Sequence, residues 1–249
     1  MNYQWDWSVF LELSPDGMHT YLETLIMGAG WTLILAGCAS AISLLAGSAL
    51  AVMRTANSRS ANAVATTYVE VFRNVPLLVQ MFLWFFIFPE ILPLSLGAAI
   101  KQMSQPWASF IPALLCLSFY GSARVGEQIR AGIQSLPRGQ TQAALALGLH
   151  QFEVYRYVIL PQAFRVVIPP LTSELIGMVK YSSVALTIGL LELTGRARSM
   201  QEYSFHVFEA FSAATFIYLA INGTIALSMR ALEGRVALPG LVGPANKGV

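Results

Sequence analysis

Four ionisable residues stand where such residues are expensive. Arg124, Glu127, Glu174 and Lys180 each lie in or beside a run of apolar side chains. A charge near the centre of a bilayer costs about 3 kcal/mol on insertion scales, so one that is kept has a partner, lines water or meets a ligand. Glu174 and Lys180 are six residues apart, about 240° around a helix, and so do not pair within one. Each needs a partner on another element, a water-filled cavity or a ligand, and Lys180 suits a carboxylate. Arg124 and Glu127 are three apart and share a helix face. That spacing fits a local ion pair near a helix end, with Arg130 snorkelling to the interface. It also fits an Arg124 turned toward the path of an acidic ligand.

Other chemistries find little support. His19, His150 and His206 are scattered without metal-ligand spacing, so no metal is expected. Cys38 and Cys116 sit in apolar runs and read as buried free thiols rather than a disulfide or metal pair. No Ser/His/Asp set is recognisable, and no phosphate-binding Gly-x-x-x-x-Gly-Lys-Ser/Thr loop occurs, so any ATP hydrolysis must be done by another protein.

The elements that position these residues are membrane helices. The chain has 249 residues, 55% of them apolar and 11% charged, with a mean hydropathy of +0.59; soluble domains carry about 25% charged residues. A span needs about 20 predominantly apolar residues. Residues 24–53, 74–89, 102–123, 166–191 and 210–229 meet or approach that length, which predicts an all-α protein with five spans. In the first span Gly28, Gly30, Gly37, Ala41 and Gly47 offer a small-residue face for close helix packing. The second is preceded by a helical stretch and a break at Pro76, which removes a backbone donor. The break is either a plain kink or a discontinuity whose free amides bind an anion. Arg73 beside it anchors to headgroups or gates the pore.

Lys and Arg mark cytoplasmic loops. None precedes the first span, whereas Arg54, Arg59, Arg130, Arg138, Arg156, Arg165, Arg230, Arg235 and Lys247 fall on the other side. Lys101, Arg196 and Arg198 are the exceptions. The N-terminus is therefore expected outside and the C-terminus in the cytoplasm. The opening residues lack the basic stretch and cleavage site of a signal peptide and read as mature protein. Trp5, Trp7, Trp31, Trp84 and Trp107 fall mostly near span ends, as interfacial anchors do. The expected organisation is an extracytoplasmic segment 1–23, a membrane domain 24–233 and a cytoplasmic tail 234–249. The net charge of +2 gives no reason to expect a nucleic-acid partner.

The stretch 138–161 lies between two spans but is too polar to cross the bilayer. Gln140 to Leu147 makes about two turns with Ala143, Ala144 and Leu147 on one face. Gly148 is a natural stop, because it tolerates the left-handed conformation. A second short helix carries Phe152, Tyr155 and Ile159 at helical spacing and ends at Pro161. Such a pair either lies on the lipid surface or is a knob fitting a groove on a soluble partner.

The segment Gln142–Pro161, QAALALGLHQFEVYRYVILP, resembles the coupling motif of ABC-importer permeases: Glu-Ala-Ala, three residues, Gly, nine residues, Ile-x-Leu-Pro. Gln142, Ala143, Ala144, Gly148, Leu160 and Pro161 occupy its positions, with Gln142 replacing the motif Glu and Val158 its Ile. FRNVPLLVQ at residues 72–80, EQIRAGIQSLPRGQ at 127–140 and LTSELIGMVKYSSVALTIG at 171–189 resemble the polar amino acid subfamily, the histidine/glutamine type. Together with WDWSVF near the N-terminus they resemble most a glutamate/aspartate importer permease. The resemblance covers essentially the whole chain. It implies a type I permease fold in a bacterial inner membrane and a heterodimer with a second permease. It also implies two copies of an ATPase that bind ATP and Mg, an extracytoplasmic amino acid-binding protein, and a coupling role for 138–161. Lys180 in MVKYSSV matches the family's Leu-x-Lys-x-Thr-Ser-Leu position, and the neighbouring Ser182 and Ser183 resemble positions close to the pathway. An acidic amino acid carries two carboxylates and one ammonium, and Arg124, Lys180 and Glu174 would complement that charge if they converge. Specificity residing only in the binding protein is the alternative for the pore. A secondary transporter using Glu174 and Lys180 for ion coupling, and a membrane enzyme or scaffold, are the rival readings of the chain.

Overall fold

The computed structural model describes residues 3–55 and 58–236. Over them the chain is helical and has no strand, apart from one isolated bridge between Leu13 and Thr20 that closes an N-terminal turn. In that turn the backbone N–H groups of His19 and Met18 donate to Asp16 and hold its carboxyl well below the usual carboxylate range.

In chain order the helices are α1 (Tyr21–Thr55), α2 (Arg59–Asn74), α3 (Leu77–Phe82), α4 (Phe88–Ile91), α5 (Leu94–Lys101), α6 (Trp107–Gln134), α7 (Arg138–Ala146), α8 (Gln151–Glu153), α9 (Leu160–Tyr181), α10 (Leu193–Ser204) and α11 (Val207–Val236). Wide π turns over Leu83–Ile87 and Val154–Ile159 join α3 to α4 and α8 to α9. A 3-10 turn, Ser182–Ile188, ends α9. Among the described residues three helices, α1, α6 and α11, are long and apolar enough to cross a membrane alone, and two bent pairs raise the number to five if each is one span. The third span is displaced from its expected place: α6 begins at Trp107 and runs on to Gln134, carrying Arg124, Glu127 and Arg130 on one continuous helix. Residues 234–236, expected in the tail, continue α11, and 237–249 lie outside the described residues.

The α1–α6 seam organises the bundle. Ser43 and Gly47 of α1 face Ser118, Gly121, Val125 and Gly126 of α6. A Cβ on Gly47 would lie 2.7 Å from Val125 Cγ1 and 2.9 Å from the Gly126 nitrogen, so only hydrogen fits. Gly28 does the same against α10, where a Cβ would come within 3.0 Å of Leu193 Cα. Two of the five residues expected on the small-residue face, Gly28 and Gly47, thus lie on it. Gly30 and Gly37 meet nothing, and Ala41 is exposed, because the buried stripe runs through Gly28, Thr32, Leu35, Ala39, Ser43 and Gly47 at helical spacing. Cys116 is buried on α6, but Cys38 falls off the stripe and is exposed, against expectation.

Leu35, Ala39, Met81, Phe110, Leu117, Met178 and Leu190 form the main core. Trp84 packs on Phe119 at 4.7 Å between ring centres. The break at Pro76 bends α2 from the following helix by 104°. The buried side chain of Gln80 fills it: Nε2 donates to the carbonyls of Phe72 (2.9 Å) and Val75 (2.8 Å).

Gly47→Leu should force α1 and α6 apart and cost about 1–3 kcal/mol, whereas Gly30→Leu should not. Thermal unfolding of the two variants in detergent is the check, with a lowered midpoint expected for Gly47→Leu alone.

Candidate functional site

Two groups of residues stand out, one at the loop between α6 and α9 and one where α6 and α9 cross. In the first, α7 ends in a backbone cap. Leu147 N donates to Ala143 O (3.0 Å) and Leu149 N to Ala144 O (3.2 Å) across Gly148, whose φ is +85°. Glu153 accepts from His150 N at 2.8 Å and starts the next helix. Ala144, Val154, Ile159 and Ala163 pack with Leu136 into a small core that seats the loop on the ends of α6 and α9.

The faces differ from the expected ones. Of Ala143, Ala144 and Leu147, only Ala144 points inward; Ala143 and Leu147 are exposed. Ile159 is buried, while Phe152 and Tyr155 stay at the surface. Gln142 and Leu160 are exposed as well. Pro161 does not end a helix. The wide π turn over Val154–Ile159 directly precedes it, and the chain runs on past Pro161 into α9. The loop is therefore one short helix, a glycine joint, and a second helix continuous with a membrane span.

In the second group the charges pair across helices. Arg124 Nε donates to Glu174 Oε1 at 2.6 Å, and Gln128 Nε2 donates to Glu174 Oε2 at 3.1 Å. The Arg124 guanidinium lies 5.6 Å from the Tyr120 ring centre and 5.8 Å from that of Tyr181, close enough for cation–π attraction. The two rings meet edge to face at 5.5 Å. Glu174 is 4% exposed, while the Arg124 side chain is 35% exposed.

The local Arg124–Glu127 pair allowed by spacing is not formed. Glu127 instead accepts from Arg130 Nε at 3.0 Å and from Arg54 at the end of α1, with Arg73 of α2 at 3.9 Å. Arg130, expected to snorkel, is held in that cluster. The three arginines approach one carboxylate from three helices, and this ties α1, α2 and α6 together.

Lys180 does not join Arg124 and Glu174. It is exposed, stands six residues along α9 from Glu174, and has no ion-pair partner among the described residues. Its rise along the helix from Glu174 is about 9 Å. Ser182 is fully buried and donates to Val179 O at 2.8 Å, and Ser183 donates to Lys180 O at 2.7 Å. Both hydroxyls serve the turn that ends α9. The two-cation, one-anion set is thus not assembled within this chain.

Two features escaped the sequence reading. Gln128, Tyr120 and Tyr181 complete the Arg124 surroundings, and only their positions hinted at it, Tyr120 and Gln128 one turn from Arg124 and Tyr181 two turns from Glu174. Glu192, fully buried, accepts from Thr32 Oγ1 (3.1 Å), the Tyr218 hydroxyl (2.8 Å) and Gly195 N (2.9 Å) and so joins α1, α10 and α11. Its signal was a carboxylate directly after the apolar run ending at Leu191.

A bundle of three apolar helices and two bent helix pairs, with a glycine-jointed loop and charges paired between helices, has the build of a polytopic membrane protein. Residues 25–238 match the family of binding-protein-dependent transport system inner membrane components, and the chain belongs to that family. It is 45% identical over 98% of its length to the glutamate/aspartate import permease protein GltJ of Escherichia coli K12, covering 99% of that protein. It is 34% identical to the glutamate/aspartate import permease protein GltK of E. coli O157:H7, over 94% of this chain and 100% of that one. A solved crystal structure of an amino acid ABC transporter with histidines contains a chain matching with a TM-score of 0.75 at 33% identity, over 86% of this chain and 95% of that one. A chain of the inward-facing methionine transporter MetNI shares the fold, with a TM-score of 0.69 at 18% identity over 91% of this chain and 100% of that one. The chain is thus an all-helical membrane component of a transport system and not its catalytic subunit.

Proposed function

We propose that this chain is one of two permease subunits in an ATP-driven importer of glutamate and aspartate. It works with a second, related permease, an ATPase dimer that binds ATP and Mg, and an extracytoplasmic binding protein. The observation that carries the reading is the end-to-end likeness to GltJ. The likeness to GltK supports a heterodimer, since two different relatives bear the same import function in their names.

In this reading the loop 138–161 is the coupling element. The exposed Gln142, Ala143 and Leu147 on one side of Gly148, and Phe152 on the other, form a knob for a groove on the ATPase. Because the second helix of the loop runs through the π turn into α9 without a flexible joint, displacement of the knob moves α9 directly. Alternating access follows as this helix tilts against α6. Gln142, where the resembling motif has Glu, makes the contact by hydrogen bonding instead of charge. The loop faces the cytoplasm, the N-terminus lies outside and the C-terminus inside, as the distribution of Lys and Arg supports. The membrane is a bacterial inner membrane.

Arg124 is the residue we assign to the acidic side chain of the substrate, because it is the accessible partner of its pair. Lys180, Ser182, Ser183 and Glu127 are assigned no direct substrate contact by this chain alone. A secondary transporter that uses Glu174 and Lys180 for ion coupling gains nothing from the geometry, since Glu174 already has Arg124 as its counter-ion.

The test is reconstitution in proteoliposomes with the partner permease, ATPase and binding protein. Uptake of labelled glutamate should require ATP and be indifferent to ionophores; ATP-independent uptake would overturn the proposal. Gly148→Val forces a β-branched residue into φ +85°, at a cost of about 1–2 kcal/mol. It should leave membrane insertion intact while uptake per ATP hydrolysed falls roughly tenfold. Arg124→Ala should lower glutamate uptake at least about tenfold and glutamine uptake far less, read from initial rates at saturating binding protein.

A further inference from the structure

We infer that Glu174 is a resident stand-in for the substrate carboxylate: it neutralises and aims Arg124 while leaving the outer edge of the guanidinium open to an incoming carboxylate. The inference rests on the assignment of Arg124 above and deepens it by naming the residue that sets how strongly Arg124 binds and how readily it lets go.

The geometry separates two roles that the sequence left joined. Both carboxylate oxygens of Glu174 are taken, one by Arg124 Nε and one by Gln128 Nε2, and the residue is almost wholly buried. It is therefore closed to a substrate ammonium, although its sign would suit one. Arg124 is the opposite case. A guanidinium has five N–H donors in a planar fork, and Glu174 engages the Nε side alone. Among the described residues, neither terminal nitrogen of Arg124 has a hydrogen-bond partner, and neither is a buried unsatisfied atom. Those nitrogens are the ones that grip a carboxylate bidentately. Tyr120 and Tyr181 flank the group and restrict its swing.

The charge arithmetic then bears on turnover. A lone arginine in a low-dielectric passage would hold a dicarboxylate firmly and release it slowly, and tight ground-state binding does not speed transfer across a barrier. With Glu174 opposite, the pair is neutral before substrate arrives. The substrate carboxylate must share the cation with a fixed anion, so it is recognised by geometry and bound weakly enough to leave. Glu174 is in this sense a positioning residue acting through Arg124. Glutamine, the neutral isostere of glutamate, does not feel the difference at its side chain.

The experiment is initial-rate uptake by the reconstituted complex carrying Glu174→Gln, with labelled L-glutamate and L-glutamine as probes. The variant keeps the shape and a hydrogen-bond acceptor for Arg124 but removes the charge. The apparent KM for glutamate should fall about tenfold and the maximal rate should fall with it, while the constants for glutamine stay within about twofold of the parent. Glu174→Asp, which restores the charge, should return both glutamate constants toward the parent. A merely structural role predicts loss of rate for both substrates with no fall in KM, and that outcome would overturn the inference, as would unchanged glutamate constants. If Glu174→Gln does not accumulate in the membrane, Gln128→Ala carries the test. It loosens Glu174 without changing charge and should raise the glutamate KM about threefold and leave glutamine alone; an equal change for both substrates, or none for glutamate, counts against the proposal. Arg124→Ala run alongside separates the two claims. If it leaves glutamate uptake normal, the assignment of Arg124 has failed, whereas a selective loss there with non-selective Glu174 variants defeats only the inference drawn from it.

Discussion

Everything in this bundle is hung on the place where α1 and α6 touch backbone to backbone. In hydrocarbon, burying an apolar side chain against another gains little over burying it in lipid, so helices associate through close dispersion contact and hydrogen bonds. Gly47 and Gly126 supply the first and the Ser43 hydroxyl, donating to Ser118 O at 3.2 Å, the second. With α1 pressed on one side, α6 has other faces free. One meets α9, where Gly132 leaves room for Val167 and Arg124 reaches Glu174. Another meets α2, where the Tyr68 hydroxyl pairs with Ser122 at 2.7 Å and Arg73 approaches Glu127.

The intramembrane charges follow from that arrangement. A helix carrying Arg124 and Glu127 three residues apart could pair them with each other, yet Arg124 reaches Glu174 on α9, and Glu127 takes Arg130 of its own helix together with Arg54 of α1. Pairing between helices is the more useful solution, because it fixes which helix lies beside which as well as removing bare charge from the apolar region. The Glu127 cluster holds α1, α2 and α6 together and the Glu174 pair holds α6 to α9. Glu192, with donors from Thr32, Tyr218 and a backbone amide, joins α1, α10 and α11. Lys180 is the exception, exposed on α9 away from these knots.

The sequence made the class and the general plan readable because both rest on strong one-dimensional signals. Apolar runs of span length, the Pro76 break and the glycine at 148 correspond to α1, α6, α11, the 104° bend and the left-handed joint. What it could not show was direction around a helix. Gly30, Gly37 and Ala41 look like Gly28 and Gly47 in a row of letters, but only the latter two lie on the buried stripe. The same blindness hid the choice of Arg124 between Glu127 and Glu174, since i, i+3 spacing permits a pair without requiring it. Pro161 read as a helix end because proline usually is one. The π turn before it, which carries the chain past the proline, has no comparable sequence signature. Likewise Cys38 was expected inside because its neighbours are apolar, a weak criterion in a protein whose outer surface is also apolar.

The turn at Pro76 has a mechanical corollary. A proline break frees backbone carbonyls, and free carbonyls would ordinarily make a soft hinge or a place for a bound ion. Here the amide of Gln80 already satisfies the carbonyls of Phe72 and Val75 from the far side of the bend. The corner is thereby braced like a shelf bracket, and the two arms should swing as one rigid piece about the Glu127 knot instead of flexing at their junction.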